Sequence, residues 1–537
     1  MFTMKKLFLA LVLFIFLFGV ARYFFPNHPA SSTLQSGDFF GENRHLLNPP
    51  DSVTASAGAH YQISKIGEFF LGKHYRAVWA TPVKAEVFHM DKIAGGLRME
   101  KLGGGMQTTS LTLTDTAGHK WALRSLDKDP ISVLSPFWRK TFVGSFVRDQ
   151  VSATNPYAAL VVAPLAEAIG VFHPSPKLVF VLPSDKDFRQ HSHLFSNRLF
   201  LIEEKFTSKA SLTKKFGAAK DLVGTEVVLQ RRFQSTHHKI DQWAFVRARL
   251  LDLLLSDWDR HEGQWDWAEY KQGTETWYKP IPKDRDQALC WYDDGVLPWI
   301  ATRKFAARKF ESFHPTFRDV YGLTINASFL DARALSEVSL ADFRRIAREI
   351  QADLSDSVLQ QAVKQFPPAI YELVGQQTLD ILRSRRQQLP RAADEYYHIL
   401  AKEVIVAGSD EPERFLVQRL SQGRTVVEVF RVNENGANVS RNYSRTFFAN
   451  ETNKIHLHGL DGDDFFDIKG DVLVGSTIYM YGGKGNDQVI DKSSVQGWRK
   501  KSVVIDAKGG VKIQKSAETD VQLQKNQVTS LVRFRDK

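Results

Sequence analysis

Apolar residues fall at two different spacings along this chain, and the switches between them divide it into segments. From about residue 60 to 135, short apolar runs alternate with glycines. Leu111 to Thr114 and Trp121 to Leu126 read as strands flanking Thr116-Ala117-Gly118, which predicts a β-hairpin. Residues 149–170 are rich in Ala, Val and Leu and predict a helix. Lys177 to Leu182 and Arg198 to Glu203 predict two further strands. Trp243, Val246, Leu250 and Leu254 recur near helical spacing, so 243–256 predicts a strong helix. Residues 330–400 carry helical patterns divided by Pro367-Pro368. From about 404 the pattern turns to alternating runs such as Val426 to Phe430 between Asn/Gly turns, which predicts a separate β module.

The N-terminus has a pattern of its own. Lys5-Lys6 precedes an apolar run from Leu7 to Val20, a positive and then a hydrophobic region of signal-peptide length. Gly19-Val20-Ala21 supplies small residues for cleavage, while Tyr23 to Phe25 extend the run toward an uncleaved anchor. Either reading exports the remainder, into the periplasm or held at the inner membrane facing it, and makes the membrane a partner through this segment. Residues 26–58, rich in Pro, Ser, Asn, His and Gly, read as a linker.

Composition narrows the class. The chain has 537 residues, 43% hydrophobic and 24% charged, which is globular and long enough for two to four domains. A net charge of +11 fits a phosphate-bearing partner or an anionic lipid surface. The single cysteine, Cys290, excludes an intrachain disulfide and a cysteine-based zinc site.

Four segments carry candidate chemistry, and phosphoryl transfer needs what each offers. Gly103-Gly104-Gly105 precedes the hairpin, where free backbone N–H groups can approach phosphate; a triple glycine is also commonly a plain turn. Arg124 projects from the second hairpin strand, with Lys128 just beyond, as cations for the phosphates. In Ser256-Asp257-Trp258-Asp259-Arg260-His261-Glu262-Gly263-Gln264, Asp259 stands five residues before Gln264. Asp259 can orient a substrate hydroxyl and take its proton, with His261 beside it. Gln264 can offer an amide oxygen to a metal. Asp284-Arg285-Asp286 then supplies two hard oxygen donors suited to Mg²⁺ or Mn²⁺.

In this order the segments resemble atypical kinases, the HipA-like toxin kinases and the CotH-like spore-coat kinases. Asp259, His261 and Gln264 are similar to an Asp-x-His-x-x-Asn loop, and Pro282 to Asp286 is similar to a Pro-Trp-Asp-x-Asp turn. "SDWDRHEGQWDW" and "PIPKDRDQA" resemble, more closely, a module of bacterial envelope proteins found beside phosphoesterase or outer-membrane barrel domains. "GGGMQTTSL" and "NPYAALVVAPLAEAIG" belong to the same likeness, which runs to about residue 400. It implies ATP as cofactor and an unidentified protein or small molecule as acceptor; nucleic acid is not an expected partner. Three positions depart from the kinase pattern. Arg124 replaces lysine, Gln264 replaces asparagine, and Ala159 stands where the lysine-pairing glutamate is expected.

The last segment repeats. Ile455 to Gly459 matches Ile478 to Gly482, and Gly462, Asp464 and Phe466 match Gly485, Asp487 and Val489. Gly482 to Ile490 fits the calcium-binding nonapeptide of RTX proteins. Two widely spaced copies do not build that site in tandem, so a β-solenoid or sandwich with Gly-Asp turns is the preferred expectation and Ca²⁺ the lesser one.

The expected architecture is α+β. Residues 1–25 are a signal peptide or anchor, 26–58 a linker and 59–300 a two-lobed protein-kinase-like domain. Residues 301–403 are its helical C-terminal extension and 404–537 a small all-β domain. The expected function is an envelope-located phosphotransferase. The alternatives are an inactive pseudokinase-type surface or assembly module and a metal-dependent phosphoester hydrolase.

Overall fold

A computed structural model of the chain describes residues 51–103, 108–182, 187–433 and 435–525, together with the single positions 19 and 531. The N-terminal apolar run, apart from Gly19, and most of the expected linker lie outside the described residues, as do Gly104 and Gly105. Among the described residues no helix is long and apolar enough to cross a membrane.

The chain enters a sheet earlier than its composition suggests. Within the stretch expected as linker, Val53 and Ala55 alternate inward on β1 (Ser52–Ala55). This strand pairs antiparallel with β2 (Val83–Val87). The same sheet takes β3 (Leu97–Gly103), β4 (Thr108–Asp115), β5 (Lys120–Lys128), β6 (Lys177–Val181) and β7 (Arg198–Lys205), in the order β1-β2-β6-β7-β5-β4-β3. The predicted hairpin is β4–β5, closing where Thr114 faces Lys120. Leu111, Leu113 and Leu123 of the hairpin pack with Phe200 and Ile202 of β7 in one buried cluster.

Residues 149–170 do not form one helix. A helix over Phe142–Asp149 passes through a 3-10 turn at Gln150–Ala153, and a new helix runs over Ala158–Ala168. The break falls at Thr154-Asn155-Pro156. Proline has no N–H to continue the ladder and drives the residue before it out of the helical region. The Asn155 side chain accepts from the Tyr157 N–H instead, at 3.0 Å.

A second sheet of β8 (Asp221–Gly224), β9 (His238–Ile240), β10 (Trp265–Gln272) and β11 (Glu275–Pro282) has the order β8-β10-β11-β9. Beside it lies the buried helix Gln242–Leu254, started by the Asp241 side chain accepting from the Ala244 N–H at 3.0 Å. Further helices follow. One spans Leu340–Asp353 behind a capping box of Ser339 and Asp342, and another spans Gln376–Ala401. The Pro367-Pro368 pair separates the second from the helix Asp356–Val363.

From Glu403 on, every regular element among the described residues is a strand. The sheet β12-β16-β18-β20-β22 takes β12 (Glu403–Ala407), β16 (Lys454–Asp461), β18 (Thr477–Lys484), β20 (Ser502–Ala507) and β22 (Thr519–Gln524). The sheet β15-β14-β13-β17-β19-β21 takes β13 (Glu413–Leu420), β14 (Arg424–Val432), β15 (Asn438–Phe448), β17 (Phe465–Val472), β19 (Asp487–Val495) and β21 (Val511–Gln514). From β16 onward the chain alternates between the sheets, so each rung is one strand of each. The repeat in the sequence is the pairing offset: Ile455 faces Ile478 and Phe466 faces Val489, both in parallel register. This is a two-sheet solenoid with Phe415, Ile455, Leu457, Phe466, Ile478, Met480 and Val489 stacked inside. At its turns Gly462 and Gly485 hold φ of +102° and +140°, and a Cβ on Gly485 would overlap the Gly462 carbonyl.

The solenoid is fastened to the preceding helices. Tyr443 Oη and Arg445 donate to the Ser336 carbonyl at 2.8 and 2.6 Å. Arg232 donates to the Ala407 and Gly408 carbonyls at 3.0 and 3.1 Å.

Candidate active site

The helix Gln242–Leu254 delivers the chain into the Asp259 loop, and its end is anchored from far away. The buried Arg385 guanidinium donates to the carbonyls of Leu253, Leu254 and His314 at 2.6, 2.8 and 2.9 Å. The Leu253 carbonyl also accepts from the Ser256 N–H at 3.1 Å, so the arginine completes the helix end at Leu254 and ties it to His314. Arg385→Met is expected to leave two buried acceptors, the Leu254 and His314 carbonyls, without a donor. At roughly 1–3 kcal/mol each before relaxation, the loss is expected to exceed about 2 kcal/mol by urea denaturation.

The loop is fixed to the Asp284 turn by alternating side chains. Arg260 turns inward, donates to the Lys283 carbonyl at 2.8 Å and the Gln264 carbonyl at 3.0 Å, and stacks 4.8 Å over the Trp265 ring. Arg285 also turns inward, to Asp252, and to Asp257 at 3.0 Å. Asp252 meets Arg249 at 2.6 Å, and Arg249 reaches Asp331 at 3.0 Å. Three carboxylates and three guanidiniums thus share one buried network. Burial alone would raise the Asp252 carboxyl, but Arg285, Arg260 and Arg249 outweigh it and hold it low. With Arg285 pointing in, Asp284 and Asp286 point into the cleft. Asp284 has φ +59°, a region Asp tolerates better than most residues.

The cleft is narrow and open to solvent, with an internal volume of about 40 Å³. Its charged side is Arg124, Lys128, Glu203, Asp284 and Asp286, and its apolar side is Leu126, Pro156, Ala159 and Leu201. Arg124 reaches Asp284 at 3.3 Å, and Lys128 contacts Asp286. Gln264 donates to Asp284 at 3.4 Å. Burial would raise the Asp284 carboxyl, yet Arg124 and Lys128 beside it hold it below the ordinary value. Burial pushes the Lys128 ammonium down to about 8, against the pull of Asp284 and Asp259.

The other sequence candidates are placed differently. Asp259 does not line this cleft; it accepts from Asn326 Nδ2 at 2.9 Å. His261 accepts from the Gly263 N–H through Nδ1 at 3.0 Å, which caps the 3-10 turn Glu262–Gln264. Gly103 ends β3, paired with Ser110.

Sequence reasoning missed two partners. Ala159 leaves Arg124 without an acid at that place on the neighbouring helix, but Glu203 on the adjacent strand β7 accepts from Arg124 Nε at 3.2 Å. The visible signal was a buried glutamate at the end of an apolar strand, Leu199 to Glu203. Asn326 carried no local signal at all. Burial pushes the Glu203 carboxyl up to about 7, against the pull of Arg124. An acid raised in this way stabilises the fold below its unfolded value and loses that contribution as pH rises toward 7. Glu203→Gln removes the loss. Its stability relative to the parent, read by urea denaturation at each pH, is expected to climb between pH 5 and 8 by at most about 3 kcal/mol.

No family model matches the chain, and no curated protein matches it. Among solved structures, the Helicobacter pylori proinflammatory kinase CtkA overlaps 55% of this chain and 95% of its own at 10% identity, with a TM-score of 0.28. The HipA of a Shewanella oneidensis MR-1 toxin–antitoxin system, solved with HipB and operator DNA, overlaps 44% of this chain and 55% of its own. That overlap has 13% identity and a TM-score of 0.19. Overlaps this loose do not establish a shared fold, so the reading of the site rests on its own geometry.

Proposed function

We propose that the chain is an atypical kinase-like phosphotransferase, using ATP and a divalent metal to modify a hydroxyl acceptor. The observation that carries this reading is the convergence of Arg124 and Lys128 with Asp284 and Asp286 at one cleft, with Gln264 reaching Asp284 from beside it. The donor set suits Mg²⁺ or Mn²⁺: two carboxylates and an amide, all hard oxygens. Such an ion would neutralise charge on the β- and γ-phosphates. Arg124 and Lys128 would bind those phosphates, with Glu203 holding Arg124 in place. The apolar side of the cleft, at Leu126, Pro156, Ala159 and Leu201, would take the base. Asp259, outside the cleft lining with its carboxylate held by Asn326 but near enough to Lys128 to act on its charge, would orient an acceptor hydroxyl at the cleft edge and receive its proton. The Lys5-Lys6 and Leu7 to Val20 pattern supports export and an envelope location for this chemistry.

The test is transfer of ³²P from labelled ATP by the purified full chain with Mg²⁺ or Mn²⁺, beside Asp259→Ala and Asp286→Ala. Metal-dependent transfer lost in both variants supports the reading. Failure to bind nucleotide removes it. Binding without transfer favours a non-catalytic module, and phosphate release from phosphoesters without ATP favours a hydrolase.

A further inference from the structure

A second cavity lies where the chain around His74 meets Trp291 to Asp294 and the start of the helix Gln376–Ala401. Its internal volume is about 370 Å³, of the order that holds a small-molecule ligand. It shares no lining residue with the cleft. Val78, Trp291, Leu373, Val374 and Ile381 make its walls apolar. Leu373 and Val374 come from a π-helical turn, Tyr371–Gly375, that leads into the long helix. Turns of this kind are frequent at functional sites.

One corner of the cavity is polar. A Cβ on Gly295 would overlap the Gly72 backbone nitrogen, so these two glycines let distant segments touch. The His74 N–H donates to Asp294 Oδ2 at 2.7 Å across that contact. A Cβ on Gly72 would overlap both His74 Nε2 and Asp294 Oδ1. The imidazole and the carboxylate therefore converge on the space above this glycine. His74 itself holds φ +49°, a costly conformation of the kind that clusters at ligand sites.

The two groups do not satisfy each other. The His74 side chain is 0% exposed and its Nε2 stands 3.4 Å from Asp294 Oδ1. Among the described residues neither of its ring nitrogens has a hydrogen-bond partner, which is costly for a buried polar group. Burial, helped by the Arg76 charge, holds the imidazole well below its usual value, so it is neutral at neutral pH. Burial, with Asp293 adding repulsion, pushes the Asp294 carboxyl up to about 6, so it is ionised there. The neighbouring charges are engaged elsewhere. Arg76 meets Asp149 at 2.7 Å, and Asp293 meets His314 at 2.9 Å and Arg318 at 3.2 Å. Lys73 is exposed at the cavity rim. A half-enclosed carboxylate facing an uncharged imidazole, with apolar walls beyond, suits a ligand with a cationic head and an apolar body.

We propose that this cavity binds a small organic cation, its ammonium group on Asp294 Oδ1 and a His74 ring nitrogen and its apolar body against Val78, Val374 and Ile381. The ammonium donates to both groups, so the carboxylate gains a counter-charge and the imidazole a hydrogen bond.

The probe is 2-phenylethylammonium, titrated into the purified full chain at neutral pH by calorimetry and saturation-transfer NMR. Nucleotide is absent throughout, so phosphoryl transfer plays no part in the result. Saturable binding is expected, with a dissociation constant of roughly 0.1–1 mM, ordinary for a fragment of this size. Asp294→Asn can keep the His74 N–H bond through its amide oxygen, and is expected to weaken binding at least about 10-fold. Ala77 is exposed at the rim, and Ala77→Trp, which fills the cavity, is expected to abolish binding. That variant keeps the test decisive should Asp294→Asn lose its native circular dichroism. Uncharged 2-phenylethanol is expected to bind roughly 10-fold more weakly than the cation and to ignore Asp294→Asn. Asp284→Asn, in the cleft, is expected to leave binding unchanged. Absence of binding overturns the proposal. So does binding that survives both cavity variants, or binding lost in Asp284→Asn, which locates the probe in the cleft. Tighter binding of 3-phenylpropionate also overturns it, by making Lys73 the recognising group.

Discussion

Asp259→Asn is expected to lower phosphoryl transfer by roughly 10²–10⁴-fold, the contribution of a positioned general base, while nucleotide affinity stays within about twofold. Asparagine is the informative replacement. Its amide oxygen can keep the bond that Asp259 accepts from Asn326 at 2.9 Å, so the loop retains its shape and only the proton acceptor is lost. Single-turnover transfer from labelled ATP measures the step, and nucleotide titration by fluorescence or calorimetry measures the binding. A matching fall in both would make Asp259 a binding group and remove it from the proton-transfer role. Asp284 is different. It meets Arg124 and Gln264 inside the cleft, and Asp284→Asn is expected to weaken metal-dependent binding as well as transfer.

Arg285→Met is expected to cost about 3–5 kcal/mol of stability, the cost of stripping one partner from a buried ionic group. Arg285 is the group shared by Asp252 and Asp257. Without it the cation left to Asp257 among the described residues is Arg260, at 3.7 Å. Arg285→Lys retains the charge but not the fork that reaches two acids, and a loss between the two extremes is expected. Urea denaturation followed by tryptophan fluorescence reads both. A loss below about 1 kcal/mol in the methionine variant would mean that the acids are neutral in the fold and that the network is not ionic.

What was legible in the sequence was local. The β4–β5 hairpin follows from alternation around one turn. The Asp259 loop and the Asp284 turn stand out because polar residues crowd between strongly apolar elements. The solenoid announced itself as a repeat, but the meaning of the repeat, one rung per period in parallel register, needed the pairing of Ile455 with Ile478. The helix break at Asn155-Pro156 had a visible proline signal that the apolar run masked. Other features had no local signature. Glu203 pairs with Arg124 across neighbouring strands 79 residues apart in sequence. Asn326 meets Asp259 over 67 residues, and Arg385 caps a helix 131 residues earlier. Each depends on tertiary packing, which composition and periodicity do not encode. His261 shows the converse: a residue conspicuous in the motif serves the local turn.

Arg260 holds the carbonyls of both Gln264 and Lys283, so the Asp259 loop and the Asp284 turn cannot separate without breaking the same guanidinium's bonds. They open together or not at all. In native-state hydrogen exchange, amides of 257–266 and 281–290 should therefore report a single opening free energy. Any closure of the cleft around a ligand then falls to the sheet that carries Arg124 and Lys128, swinging over a fixed floor.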